Sequence, residues 1–183
     1  RTRVLRQEGQ KPIIAVTGCV ASHDGVNLLK RFPFVDIALG PDHIRNLPDL
    51  VQEARDKGKK VARTDFADLS DYEFPAQIQM NGERRVKAFV TIMKGCDNRC
   101  SFCIVPVVRG KEVSRPSSEI LDEIRRLEEQ GVREVMLLGQ NVNSYGKRLA
   151  EKTSFAQLLR LIEERTTLSR LRFISPHPKD LSD

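Results

Sequence analysis

No apolar run in this chain approaches the length that spans a bilayer, so no membrane partner is expected. No secretory pattern opens it; the first residue is Arg1. Cysteine is scarce, and four in 183 residues do not make the disulfide framework of a secreted domain. The expectation is a reducing, cytoplasmic setting. Common hydrolase motifs are missing as well. "GQNVNSYG" (Gly139–Gly146) lacks the Lys-Ser/Thr pair of a nucleotide-phosphate loop, and neither an HExxH pair nor a nucleophile elbow occurs. No repeat of fixed period and no low-complexity tract is present. What remains, 39% hydrophobic and 31% charged, is the composition of a globular protein with one large or two small domains.

The scarce cysteines are not scattered. Cys96, Cys100 and Cys103 fall within "KGCDNRCSFCIVP" (Lys94–Pro106), at intervals of four and three positions. Structural zinc is nearly always closed by four ligands, and here the fourth would be remote, such as His177 or Cys19. Zinc ribbons pair two C-x2-C knuckles, and this sequence has one. A cuboidal 4Fe–4S cluster held by three cysteines keeps one iron open for a substrate or cofactor. An iron–sulfur cluster is therefore the expectation, with zinc as the alternative.

Charge is concentrated in the same region. Between Arg84 and Arg115 there are eight cations against Asp97 and Glu112, which equals the whole net charge of +6. A basic field beside a reactive site suits a polyanion such as RNA, or an anionic small molecule. Arg109, Lys111 and Arg115 are the candidate contacts; guanidinium groups suit phosphate or carboxylate pairing.

Hydrophobic patterning alternates strand and helix twice. "PIIAVTG" and "VDIALG" read as buried strands, "DGVNLLKRF" as a short helix, and "HIRNLPDLVQEARDKG" as a helix stopping at Gly58. "KVARTDF" completes a βαβαβ layout. Ala67–Glu83, with Pro75 and an Asn-Gly signal, reads as a linker with a domain boundary near residue 75. "VKAFVTIMKG", "REVMLLG" and "LRFIS" read as three further strands. "PSSEILDEIRRLEEQG" reads as a helix with serines before its first turn, a stripe of Ile120, Leu121, Ile124 and Leu127, and Gly131 as the stop. "SFAQLLRLIEER" reads as a helix capped by Ser154. A closed parallel barrel needs more strands, so the second series is expected to be the opening half of one. Parallel barrels keep their sites at the strands' C-terminal ends, which here carry Gly139, Gln140, Asn141, Ser175 and His177.

Cys-x3-Cys-x2-Cys with Phe102 directly before the last cysteine resembles the signature of the radical S-adenosylmethionine enzymes. "KGCDNRCSFCIVPVVRGKEVSRP" with "GVREVMLLGQNVNSYG" is similar to the methylthiotransferase family, and "LLGQNVN" and "RFISPHP" to its branch acting on isopentenyladenosine in tRNA. "VTGCVAS" and "VDIALGPD" resemble the family's N-terminal domain. The resemblance implies an α/β fold: part of a Rossmann-like methylthiotransferase domain over residues 1–74, then the first half of a radical S-adenosylmethionine (β/α) barrel over residues 75–183. It implies an internal piece of a longer enzyme that inserts a methylthio group at C2 of N6-isopentenyladenosine next to the anticodon. The implied cofactors are S-adenosylmethionine and 4Fe–4S clusters, two in the full-length protein. The implied partners are tRNA, an electron donor such as flavodoxin or ferredoxin, and a sulfur source.

Residue by residue, the resemblance makes Cys96, Cys100 and Cys103 ligands of the first cluster and Cys19 a ligand of the second. The second cluster's other two cysteines have no counterpart here. Phe102 would meet the cofactor's adenine; Gly139, Gln140 and Asn141 would meet its methionine ammonium, since amide oxygens accept from ammonium. Ser175 would reach the same mouth, and His177 would carry a proton or touch RNA. The alternatives are the same chemistry on a ribosomal protein or on threonylcarbamoyladenosine, and a zinc-stabilised RNA-binding module without catalysis.

Overall fold

The computed structural model describes residues 12–67, 72, 74 and 86–181. The chain falls into two compact units, Arg1–Tyr72 with Val107–Arg109, and Glu73–Pro106 with Gly110–Asp183. The expected linker lies almost wholly outside the described residues, as does the boundary expected near residue 75.

In the first unit, β1 (Ala15–Thr17), β2 (Ile37–Leu39) and β3 (Val61–Arg63) form a parallel sheet in sequence order. The central strand is buried on both faces, so its residues serve two cores. Ile37 and Leu39 pack with Leu50, Ala54 and Val61 on one face, while Ala38 joins Ala21, Leu28, Leu29 and Val35 on the other. The expected short helix is α2 (Val26–Arg31), and an unexpected one, α1 (Cys19–Asp24), precedes it across Gly25 at φ 51°. A 3-10 turn, Pro41–Asn46, precedes α3 (Leu47–Lys57), which ends at left-handed Gly58 as expected.

In the second unit, β4 (Lys87–Thr91), β7 (Glu134–Leu138) and β8 (Arg170–Phe173) form a parallel sheet in that order. The strand read as continuous through Gly95 is broken after Thr91. Its end becomes β5 (Met93–Lys94), which turns off to pair antiparallel with β6 (Val113–Ser114). A short helix, α4 (Val105–Arg109), lies between β5 and β6. Helices α5 (Ser117–Glu129) and α6 (Phe155–Arg165) pack over the sheet face made by Ala88, Val90, Val135 and Leu137. The expected stripe of α5 is buried, but its serines do not cap it. Pro116 is the N-cap, and the orphan N–H of Ser117 is satisfied by Glu151 Oε1 at 2.9 Å. Ser154 does cap α6, in a reciprocal capping box with Gln157. No described helix is long and apolar enough to cross a membrane.

Candidate metal centre

The cysteine loop leaves the C-terminal edge of the β4–β7–β8 sheet and is tied down at its start. Gly95 has φ 73°, and a Cβ there would lie 2.1 Å from the Lys111 carbonyl oxygen, so only glycine fits. Its N–H donates to Gln140 Oε1 at 2.7 Å, and the Cys96 N–H donates to the Gly110 carbonyl at 3.2 Å. Further on, the Cys103 N–H donates to the Cys100 carbonyl at 3.1 Å, closing a tight turn between those two ligand candidates. All three thiols are free and half-buried. Burial pushes the Cys96 thiol up, the Asn98 backbone N–H opposes, and the neighbouring Glu112, Cys103 and Cys100 add to the rise.

Among the described residues, no three His, Cys, Asp or Glu side chains converge as a ready site for one ion. A cluster takes each thiolate on a different iron, so its ligands need not meet at one ion. Three thiols on one half-buried loop offer the soft sulfur donors that an iron–sulfur cluster takes.

The end of β7 supplies the floor. Gly139 is required by close approach: a Cβ would stand 2.5 Å from Met93 Cγ. The Gln140 amide oxygen is engaged by Gly95, so this residue holds the loop, where an ammonium contact was expected. Asn141 is only 2% exposed; its Nδ2 donates to Asp180 Oδ2 at 2.7 Å, while its Oδ1 is buried without a partner. Such an orphaned acceptor at a strand end suits an ammonium donor. Ser144 hydroxyl lies within hydrogen-bond reach of Glu112 Oε2 and the Asn141 carbonyl. Burial raises the Glu112 carboxyl above its ordinary value, with Ser144 opposing.

The segment after β8 closes over this edge. Ser175 is exposed, has φ 62°, and its carbonyl accepts from Val142 N–H at 3.3 Å. Asn143 grips His177 twice: Oδ1 accepts from its N–H and Nδ2 donates to its carbonyl, both at 2.8 Å. His177 Nε2 stands 3.4 Å from Cys100 Sγ. Phe102 is 91% exposed and belongs to no core. Sequence reasoning missed Asn143, Asp180 and Glu112. Asn143 sits in the strand-end stretch already singled out, but nothing in the local pattern marks Asp180.

The expected RNA set is corrected in part. Arg115 is buried: it pairs with Glu123, reaches Glu119 at 3.2 Å, and its carbonyl accepts from the buried Tyr145 hydroxyl at 2.6 Å. Its charge is spent inside the fold, so it does not read phosphate. Lys94 is buried too, and Lys87 lies 3.7 Å from Glu134, while Arg84 and Arg85 fall outside the described residues. The basic segment is therefore not a uniform solvated field. Lys111 is exposed and Arg109 half-buried, its Nε donating to Cys19 Sγ at 3.1 Å. Cys19, the first residue of α1, lies in the other unit from Cys96, Cys100 and Cys103.

Residues 90–178 match the radical SAM superfamily. Along nearly its whole length the chain is similar to curated tRNA-2-methylthio-N(6)-dimethylallyladenosine synthases. It is 48% identical over 181 residues to the tRNA-2-methylthio-N(6)-dimethylallyladenosine synthase of Trichlorobacter lovleyi, covering 98% of this chain and 40% of that protein. The synthases of Syntrophotalea carbinolica (48% over 185 residues, 100% and 42% covered) and Geobacter sulfurreducens (44% over 182 residues, 100% and 40%) are similar to it as well. The chain thus spans about 40% of the length of these curated relatives. In fold it is similar to the radical S-adenosylmethionine methyltransferase TsrM of Kitasatospora setae, with a TM-score of 0.57 at 16% identity, over 89% of this chain and 35% of that one. A radical SAM domain implies a 4Fe–4S cluster and S-adenosylmethionine as cofactors.

Proposed function

We propose that this chain is part of a tRNA-modifying enzyme that inserts a methylthio group at C2 of N6-isopentenyladenosine beside the anticodon. The observation that carries the reading is the 44–48% identity to the three named synthases, which runs through both units. Cys96, Cys100 and Cys103 hold the cluster. When bound, the cluster supplies the electron that lets S-adenosylmethionine activate an unreactive C–H bond.

The chain's own residues bind and orient. Asn141 Oδ1, buried and unpartnered, would accept from the cofactor's ammonium. Gln140 and Gly95 fix the start of the cysteine loop against the end of β7. Gly139 keeps that strand end close to Met93. Ser175 stands at the same edge, and the exposed Phe102 ring is offered to the adenine. Lys111 and Arg109 meet the anticodon-loop phosphates, and Cys19 takes part in a second cluster with thiols from elsewhere in the enzyme. An external electron donor such as flavodoxin or ferredoxin, a sulfur source and a cytoplasmic setting complete the reading.

The test is anaerobic reconstitution of the full-length enzyme, incubation with S-adenosylmethionine, reductant and tRNA carrying isopentenyladenosine, then nucleoside mass spectrometry. A methylthio-bearing nucleoside is expected. Its absence, with clusters intact and with methylthiolated product on another substrate, would refute the tRNA assignment.

A further inference from the structure

We propose that His177 donates a hydrogen bond to the Cys100 sulfur and thereby sets the reduction potential of the cluster; the proposal rests on Cys100 being a ligand. His177 Nε2 lies 3.4 Å from Cys100 Sγ. The tautomer follows from the other side of the ring. The Lys179 N–H donates to Nδ1 at 3.2 Å, so Nδ1 is an acceptor and the neutral ring carries its proton on Nε2, facing the sulfur.

The ring is held in that pose by its surroundings. Asn143 clamps the His177 backbone from both sides, and Lys179 Nζ reaches Asn98 Oδ1, on the cysteine loop itself, at 3.4 Å. Asp180 anchors the segment to Asn141 and Lys147. Among the described residues, no side-chain N–H faces Cys96 or Cys103 in the same way.

An N–H aimed at a ligand sulfur stabilises negative charge on it. A reduced cluster carries one more electron than an oxidised one, so the bond is stronger in the reduced state and raises the potential. The electron comes from the external reductant, and no proton changes place. His177 is thus a positioning and tuning residue, and it leaves the set of RNA contacts.

The experiment compares the anaerobically reconstituted wild type with His177→Leu and His177→Gln, by iron counting and redox titration followed by electron paramagnetic resonance. All three should hold the same iron. His177→Leu should shift the reduction equilibrium about tenfold toward the oxidised form, about 59 mV more negative for a one-electron couple. His177→Gln keeps an N–H where Nε2 was and should stay within about threefold of wild type. A wild-type potential in His177→Leu overturns the proposal. Loss of iron in that variant overturns it too, because His177 would then hold the cluster and not tune it. If wild type binds no cluster, or keeps it in Cys100→Ala, the ligand assignment fails instead, so the two failures are distinguishable.

Discussion

Removing Glu123 should destabilise the second unit far more than removing its neighbour Glu119, although both carboxylates face Arg115. The side chains of Arg115 and Glu123 are 8% and 9% exposed, while Glu119 is 57% exposed. Taking away Glu123 leaves the buried Arg115 charge without its buried partner, at a cost of about 3–5 kcal/mol. An exposed partner contributes about 0–1 kcal/mol. With a urea slope of about 2 kcal/mol per molar, Glu123→Ala should lower the unfolding midpoint by about 1.5 M or more, and Glu119→Ala by at most about 0.5 M. Replacing both Arg115 and Glu123 with apolar residues of similar size should recover most of the loss, since the desolvation penalty disappears with the charges. The assay is urea unfolding followed by circular dichroism. The chain has no tryptophan, and the Tyr145 hydroxyl donates to the Arg115 carbonyl, so the near-ultraviolet signal of Tyr145 reports on the same site. Equal, small midpoint shifts for the two single variants would refute the account of Arg115 as an internal strut.

Cys100→Ala should abolish iron binding by this loop, read by iron counting after reconstitution; unchanged iron content would sink the ligand assignment. Gly95→Ala forces a Cβ to within 2.1 Å of the Lys111 carbonyl oxygen, so it should lower iron content and the thermal midpoint together, and a variant wild-type in both would contradict the close fit. Neutralising Arg109 and Lys111 together in the full-length enzyme should flatten the salt dependence of tRNA binding by roughly 1 to 1.5 in log–log slope, whereas Arg115→Met, if it folds, should leave the slope unchanged. Glu112 has its pKa raised by burial above 4.5; its contribution to stability is complete below that value and is lost as pH rises through the raised pKa. Glu112→Gln should therefore gain on wild type in urea midpoint from pH 4 toward pH 7, and a constant difference across that range would count against the shift.

What was legible in the sequence was what depends on local pattern. The stripe of α5 and the Ser154 cap of α6 follow from spacing within one helix. The parallel strands follow from β-branched runs between glycines. What was not legible depended on partners distant in sequence. Ser117 looked like a cap, but its N–H is met by Glu151, thirty-four residues on. Arg115 looked like a surface cation because its acid partners sit on a helix whose packing direction the sequence does not state. The β5–β6 ribbon has only two residues per strand, too few to show a period. At the candidate site the thiols and the strand end were visible from motif and position, while Asn143 and Asp180 acquire meaning only once β7 and the segment after β8 lie side by side.

The hold of Gln140 on the Gly95 N–H carries a consequence for how the protein matures. The grip uses only protein atoms, so it should shape the mouth of the loop before any iron arrives. Cluster insertion would then be a late event on an already folded edge. Amide hydrogen exchange reads this directly: in metal-free protein the Gly95 N–H should exchange far more slowly than the N–H groups of the exposed Arg99 and Ser101. Equal rates would mean that the loop is built around its metal after all.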